Sequence, residues 1–307
     1  MFTWRDGERL IKFGPLDPID EPYVLLTTRR AAIEAFTEAA TDVMFVPPGR
    51  IDEISAELLA AHSFGSDILL VALGGGRVVD TTKAIAGGVG ARCAAIPTTL
   101  SGAEMTPFHR TPAGVEGARL VRPALVLADP DLMTSAPAST LAATAMNALA
   151  HAMEALYTPL ANPVTTMAAL RAATLLAGDD REGLALGAVL AGYASGATGI
   201  AVHHAICQTI VRTAGTPHAE TNAVMLPHSA RLMEPRAPEA MRAFTEAVGT
   251  DVGTLAARCG HTRLSSLGVE EQQLPGMADA MASHPLLGNT PDPPGAEELL
   301  AVLRAAV

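Results

Sequence analysis

Two kinds of residue in this chain could do chemistry, and they stand far apart in the sequence. The first is a run of three glycines, Gly74-Gly75-Gly76, placed between the apolar stretch Asp67–Leu73 and a helix-forming run from Val78 to Ala86. Glycines at a strand-to-helix junction let the backbone approach a ligand closely, and the N–H groups that open the helix can hold a pyrophosphate. The pattern is neither G-x-G-x-x-G nor a P-loop, and the same glycines would also serve a plain tight turn. A second loop, Pro97-Thr98-Thr99-Leu100-Ser101-Gly102, follows another short apolar run and carries hydroxyls suited to phosphate or ribose. Two such loops at successive strand ends can form a nucleotide crevice. The second kind of residue is imidazole. Asn147 and His151 are four apart and share one helix face. His203 and His204 lie in the uncharged stretch Gly183–Val211, and His218 follows His204 by fourteen residues. Three histidines and an amide can converge on one divalent cation or one substrate. Singly, each also reads as a buried helical histidine satisfied by its neighbours, and His228 reads as that or as a surface residue.

The elements that must position these groups divide at Asp129-Pro130. Before it, short apolar runs (Tyr23–Thr28, Val43–Val46, Asp67–Leu73, Ala94–Pro97 and Ala124–Ala128) alternate with helical stretches over Arg30–Ala40, Asp52–Ala61 and Val78–Ala86. That alternation predicts an α/β unit with a mostly parallel sheet covered on both faces. After it, strand runs cease and Ala/Leu/Met-rich stretches punctuated by prolines predict an all-helical unit. The expected domains are 1–130, a dinucleotide-binding α/β domain, and 131–307, a helical domain carrying the Asn/His residues. With 49 % apolar residues in a chain of 307, a sizeable core is available; with 4 % aromatics it must be aliphatic. A formal charge of −11 argues against nucleic acid or an anionic membrane as the partner. Cys93, Cys207 and Cys259 are far apart, with no C-x-x-C pair, so neither a disulfide framework nor a thiolate zinc site is expected. The charged N-terminus MFTWRDGERLIKFG is unlike a signal peptide. Gly183–Val211 is long enough to span a bilayer, but its histidines, hydroxyls and glycines predict a buried helix pair instead. The expected protein is cytoplasmic, and its Ala/Gly-rich helices are compatible with a homodimer.

The ordered set LGGGRVVDTTKAIA, AIPTTLSGAEMTP, ADPDL, MNALAHAMEALYTPLANPVTT, HHAICQTI and GTPHAETNAVMLPH resembles the iron-containing alcohol dehydrogenase superfamily. NALAHAMEALY, the His203-His204 pair and PHAET are closest to the maleylacetate reductases. The resemblance runs in order from about Phe2 to Ala230. It implies an α/β dinucleotide-binding domain followed by a helical domain, with the active site in the cleft between them. It also implies that Gly74, Gly75 and Gly76 hold the pyrophosphate and that Thr98, Thr99 and Ser101 line the nicotinamide side. Asp80 and Lys83 match the family's GGG-x-x-x-D-x-x-K pattern. Metal-dependent members bind Fe or Zn through an Asp and three His, and those positions fall on Asn147, His151, His204 and His218.

The departures bear on the chemistry. Asn147 removes the only anionic ligand, so a cation would keep its full charge in a low-dielectric site, and a metal-free site becomes credible. Maleylacetate reductases share this Asn. Gln208 stands where most relatives have a His, and an amide cannot exchange a proton near neutral pH. Arg77 replaces a common Ser. The helical half looks shortened between Thr174 and Gly187. The resemblance implies an NAD(P)H-dependent oxidoreductase that passes hydride to the C=C of a small unsaturated keto dicarboxylate, with His151, His204 and His218 as the expected donors to the developing enolate. Arg110 is the candidate carboxylate cation. The alternative is a metal-dependent alcohol or β-hydroxy-acid dehydrogenase acting on a more specialised substrate; a cofactor-binding pseudoenzyme ranks below both. Thr27-Thr28-Arg29-Arg30 has no acid to grip ribose hydroxyls, so NADPH is expected to bind at least as well as NADH.

Overall fold

A computed structural model describes residues 1–307, and in it the chain divides into two compact units, Met1–Ser135 and Ala136–Val307. The first unit holds strands β1 (Phe2–Asp6), β2 (Arg9–Phe13), β3 (Tyr23–Thr27), β4 (Asp42–Phe45), β5 (Leu69–Gly74), β6 (Arg92–Pro97) and β7 (Leu125–Ala128), with helices α1 (Glu34–Ala39), α2 (Ile51–Ala61), α3 (Gly76–Val89) and α4 (Pro130–Met133). They form a seven-stranded sheet of order β1-β2-β7-β6-β5-β3-β4, parallel throughout except for the β1–β2 hairpin. Strand β5 is buried along its whole length because both faces of the sheet are covered. Its side chains alternate between two apolar layers: Leu69, Val71 and Leu73 pack with Tyr23, Leu25 and Ile96, while Leu70 and Ala72 pack with Leu26, Met44 and Ile85. This fold agrees with the class predicted above.

Three local differences have physical reasons. The N-terminal segment is a hairpin, its turn made by Gly7 at φ 62, and β2 docks beside β7 as part of the sheet. The helix expected over Arg30–Ala40 begins only at Glu34, because the N–H groups of Ala31 and Ala32 turn back onto the Thr28 carbonyl and Ile33 is extended. The first unit extends to Ser135, so α4, capped by Asp129 on the Asp131 N–H, belongs to it and not to the helical unit.

The second unit contains α5 (Ala138–Ala155), α6 (Pro163–Leu176), α7 (Arg181–Thr198), α8 (Val202–Ala214), α9 (His218–Met233), α10 (Pro238–Val248), α11 (Val252–Ala257), α12 (Leu274–Ala282) and α13 (Ala296–Ala306). Helix α5 packs against α6, α7 and α9. Glycine makes the α6–α7 approach close: a Cβ on Gly187 would lie 2.9 Å from Leu176 and 3.1 Å from Leu175. The uncharged stretch is the α7–α8 pair, which bends by 100° at the break between Thr198 and Val202. No single helix is long and apolar enough to cross a membrane. Most of α7 and α8 is buried within the unit.

Candidate active-site residues

In the first unit the glycine run sits where β5 gives way to α3. Gly75 is the N-cap of α3 and offers no side chain, so the N–H groups of Gly76 and Arg77 are left to a ligand, while those of Val78 and Val79 reach the Gly75 carbonyl. The second loop lies against it, tied by the Thr98 N–H donating to the Gly74 carbonyl at 3.0 Å. A Cβ on Gly75 would lie 3.1 Å from the Thr99 methyl, and one on Gly76 would lie 3.1 Å from Ser101 Oγ. The glycines thus keep the two loops close while leaving the helix mouth open. Thr99 Oγ1 is buried with no hydrogen-bond partner, an orphaned polar atom beside that mouth. The backbone cradle, the uncapped helix and the hydroxyls fit a dinucleotide's phosphates.

Asp80 and Lys83 act one step behind. The Lys83 ammonium is fully buried, paired with Asp80 at 2.7 Å, and donates to the carbonyls of Ala103, Thr106 and Phe108 at 2.9, 3.1 and 2.8 Å. Its donors are thereby taken up by the loop after Ser101, which it clamps to α3. Glu104 in the same loop is fully buried, and neither carboxylate oxygen has a partner. Burial pushes its pKa up to about 7 despite Lys83 and Arg9 nearby. Arg110 is half-exposed and lies 3.9 Å from Asp52.

In the second unit, α5 carries Asn147, His151 and Glu154 on one stripe, all buried. Helix α8 brings His204 beside them. The rings of His151 and His204 stack with centroids 4.3 Å apart and planes 20° apart. Each ring is anchored by its Nδ1. His151 Nδ1 meets Ser195 Oγ of α7 at 3.0 Å, and His204 Nδ1 meets Glu154 Oε2 at 2.6 Å. Glu154 Oε1 also accepts from the His204 backbone N–H at 3.2 Å. A carboxylate that accepts twice from one residue sets the tautomer: the proton is on Nδ1 and the lone pair on Nε2. His204 Nε2 is buried with no partner. Burial lowers the pKa of both imidazoles and raises that of Glu154, the last opposed by the surrounding histidines and backbone N–H groups.

His203 has a different place. Its Nε2 bonds Asn222 Oδ1 at 2.9 Å and its Nδ1 bonds Ser229 Oγ at 3.0 Å, so both nitrogens are engaged, and burial pushes its pKa down to about 3. Asn222 in turn donates to the His218 carbonyl at 2.7 Å, linking α8 to the first turn of α9. His218 itself is exposed there, Gln208 is half-buried on α8, and His228 is half-buried on α9. Glu154, Ser195 and Asn222 were not among the residues predicted above. Glu154 had a readable signal, since Asn147, His151 and Glu154 fall at i, i+4 and i+7 on one helix; the other two are recognised only through contacts distant in sequence.

The Nε2 lone pair of His204 is what a divalent cation would take, and the carboxylate behind it is the usual support for such a ligand. No three His, Cys, Asp or Glu side chains close on a common point, however, and the remaining groups are neutral. On these contacts the quartet does not form a closed metal centre.

Two family models together cover most of the chain. Residues 25–137 match that of iron-containing alcohol dehydrogenase, and residues 141–307 match that of the C-terminal part of the Fe-containing alcohol dehydrogenase family. A maleylacetate reductase of Sphingobium indicum is 32 % identical over 298 residues, covering 90 % of this chain and 82 % of its own. Maleylacetate reductase 1 of Rhodococcus opacus is 35 % identical over 240 residues, covering 70 % and 67 %. The crystal structure of maleylacetate reductase from Rhizobium sp. strain MTP-10005 superposes with a TM-score of 0.79 at 29 % identity, covering 93 % of this chain and 89 % of that one. The chain belongs to the iron-containing alcohol dehydrogenase family.

Proposed function

We propose that this protein is an NAD(P)H-dependent reductase of a small unsaturated keto dicarboxylate, of the maleylacetate type. It is an oxidoreductase acting on a small-molecule substrate, as its family and its relatives named maleylacetate reductase are. The observation that carries the substrate class is the character of the imidazole site. Asn147, His151 and His204 are all uncharged, and the one buried carboxylate among them, Glu154, is spent on His204. A neutral, buried cluster of hydrogen-bonding groups suits a ketone that becomes an enolate.

The glycine junction and the Thr98–Ser101 loop hold the cofactor. Bound there, the dinucleotide would supply hydride to the alkene carbon β to the ketone. The alkene electron pair moves toward the ketone oxygen, and the α-carbon then takes a proton. Ser195 Oγ engages His151 Nδ1, which leaves Nε2 of His151 to face that oxygen, and in its Nε2–H tautomer the ring donates to it. His204 presents a lone pair instead and accepts a hydrogen bond from substrate or from the water that carries the proton. Gln208 can orient such a water but cannot supply the proton itself. His218, on the uncapped first turn of α9, meets a substrate carboxylate. The reaction is cytoplasmic, where reduced nicotinamide nucleotides are maintained, and a homodimer is the assembly we expect.

The test is one preparation assayed for NAD(P)H oxidation with maleylacetate, before and after exhaustive chelation. Activity that survives chelation supports the reductase. Loss of activity on chelation, together with oxidation of simple alcohols on refilling with Fe or Zn, would replace it with the alcohol dehydrogenase alternative.

A further inference from the structure

The break between α7 and α8 lies between the anchors of the two stacked rings. Ser195, which holds His151, sits one turn before it, and His204 sits one turn after it. The 100° bend therefore sets where the His204 ring falls against its neighbour. Three residues make the bend. Gly199 closes α7 with its N–H on the Ser195 carbonyl at 2.8 Å, at φ 87, a left-handed conformation that suits glycine. Ile200 and Ala201 follow, both buried, and Ala201 has no side chain with which to cap α8.

The peptide unit joining Ile200 to Ala201 is held at both ends. Its N–H, from Ala201, faces the Glu154 carboxylate and, with the His204 N–H, favours the charged form of that acid. Glu154 thus caps α8 from α5 while it grips His204 Nδ1. The carbonyl of the same unit, from Ile200, accepts from Asn289 Nδ2 at 2.8 Å, a contact across 89 residues. Asn289 ends the short 3-10 turn Pro285–Asn289. The missing side chain of Gly199 lets it approach, since a Cβ there would lie 3.3 Å from its amide nitrogen. A peptide unit is planar, so fixing its oxygen also fixes the direction of its N–H.

We propose that Asn289 is a positioning residue for the reduction: by holding the Ile200 carbonyl it aims the Ala201 N–H at Glu154, and through Glu154 it keeps His204 in its tautomer and against His151. The proposal rests on the reading of the imidazole cluster as the reductase site. A bond that merely satisfied a buried carbonyl would contribute stability and leave the ring unaffected. A bond that aims the peptide must move the ring when it is lost.

The experiment compares wild type with N289D, which keeps the shape but has no N–H to donate, and with N289Q, which keeps the amide on a longer stem. Nitrogen-15 chemical shifts of His204 are read alongside NAD(P)H-dependent reduction of maleylacetate. N289D should move His204 from its Nδ1–H form toward a mixture of tautomers and lower kcat about thirtyfold, with KM and the NADPH dissociation constant within about twofold. N289Q should recover part of both signals. G199A, whose methyl would press on the amide from 3.3 Å, should move the same shifts by a second route. A lower melting temperature for N289D, with kcat and the His204 shifts at wild-type values, would overturn the proposal and leave Asn289 a packing residue. So would a loss of kcat with the shifts unmoved. Should N289D fail to fold, G199A decides by the same shifts. If the wild type does not reduce maleylacetate, the substrate reading fails on its own, and the His204 shifts still decide between a positioning and a packing role for Asn289.

Discussion

The glycine junction of the first unit and the imidazole cluster of the second prepare for chemistry in opposite ways. At the junction the working parts are absences: no side chains on Gly75 and Gly76, no cap on α3, and an orphaned Thr99 hydroxyl. In the cluster the working parts are side chains, each held by another, with Ser195 behind His151 and Glu154 behind His204. A site made of space tolerates little added volume but depends weakly on any one polar group. A site made of anchored rings tolerates volume changes elsewhere but fails when an anchor goes. Substitutions can break this contrast in either direction.

The largest effect is expected at Glu154. E154A leaves the His204 N–H and Nδ1–H buried without an acceptor, a loss on the order of 3 kcal/mol of stability, and frees the ring to change tautomer. Reductase kcat should fall about a thousandfold. E154Q separates anchoring from charge: the fold should hold, while the amide N–H now faces Nδ1 and drives the ring proton to Nε2, which nitrogen-15 chemical shifts of His204 would register. An E154A enzyme within about threefold of wild-type activity would remove Glu154 from the site.

At the junction, G76V tests the value of space. Its Cβ would lie 3.1 and 3.3 Å from Ser101 Oγ and Cβ, with the two methyls adding further volume there. The cofactor dissociation constant should rise about a hundredfold while the melting temperature stays within a few degrees. If G76V instead lost its fold with no separate binding defect, the glycine would be there for packing, and the contrast with the cluster would collapse.

These two regions were also unequally legible in the sequence. The junction could be read because its chemistry is local: three adjacent glycines after an apolar run specify the turn whatever the rest of the chain does. Asn147 and His151 could be read for the same reason, from helical spacing. The partnership that gives His204 its tautomer could not, because Glu154 is fifty residues away and contact between α5 and α8 is a property of the bent α7–α8 pair. Lys83 illustrates the limit from the other side. Its place in a cofactor-associated pattern was visible, but its hold on three carbonyls of the loop depends on packing that no spacing expresses. The N-terminal hairpin was a missed local signal, since Asp6-Gly7 is a turn pair between two short alternating strands.

The loop clamped by Lys83 also carries a pH dependence. Glu104 has its folded pKa raised from 4.5 to about 7 by burial. A raised acid pKa means that the folded state holds the proton more tightly than the unfolded one. The stability this proton supplies is therefore complete below pH 4.5, declines from 4.5 to 7, and is gone above 7. The full amplitude is on the order of 3 kcal/mol. E104Q, a neutral isostere, should flatten this slope, so that the variant melts several degrees above wild type at pH 8 and level with it at pH 5. Parallel melting curves across pH 5 to 8 for the two proteins would show that the carboxylate is not buried in solution.

The smallest effect is expected at Arg77, where the family pattern has a Ser. The residue is exposed in the first turn of α3 and forms no ion pair, so its cation sits at the positive end of the helix dipole with no anion to offset it. Such a placement slightly disfavours the empty protein and favours the protein with phosphates bound. R77Q should therefore move two quantities in opposite directions. The melting temperature without cofactor should rise by about a degree, while the dissociation constants of NADPH and NADH should both rise about threefold. The second change should shrink at high salt, because exposed charges are screened within about 8 Å at physiological ionic strength. Equal effects on both cofactors would place Arg77 at the pyrophosphate that the two share. A weakening confined to NADPH would instead move Arg77 away from the pyrophosphate and onto the group that only NADPH carries.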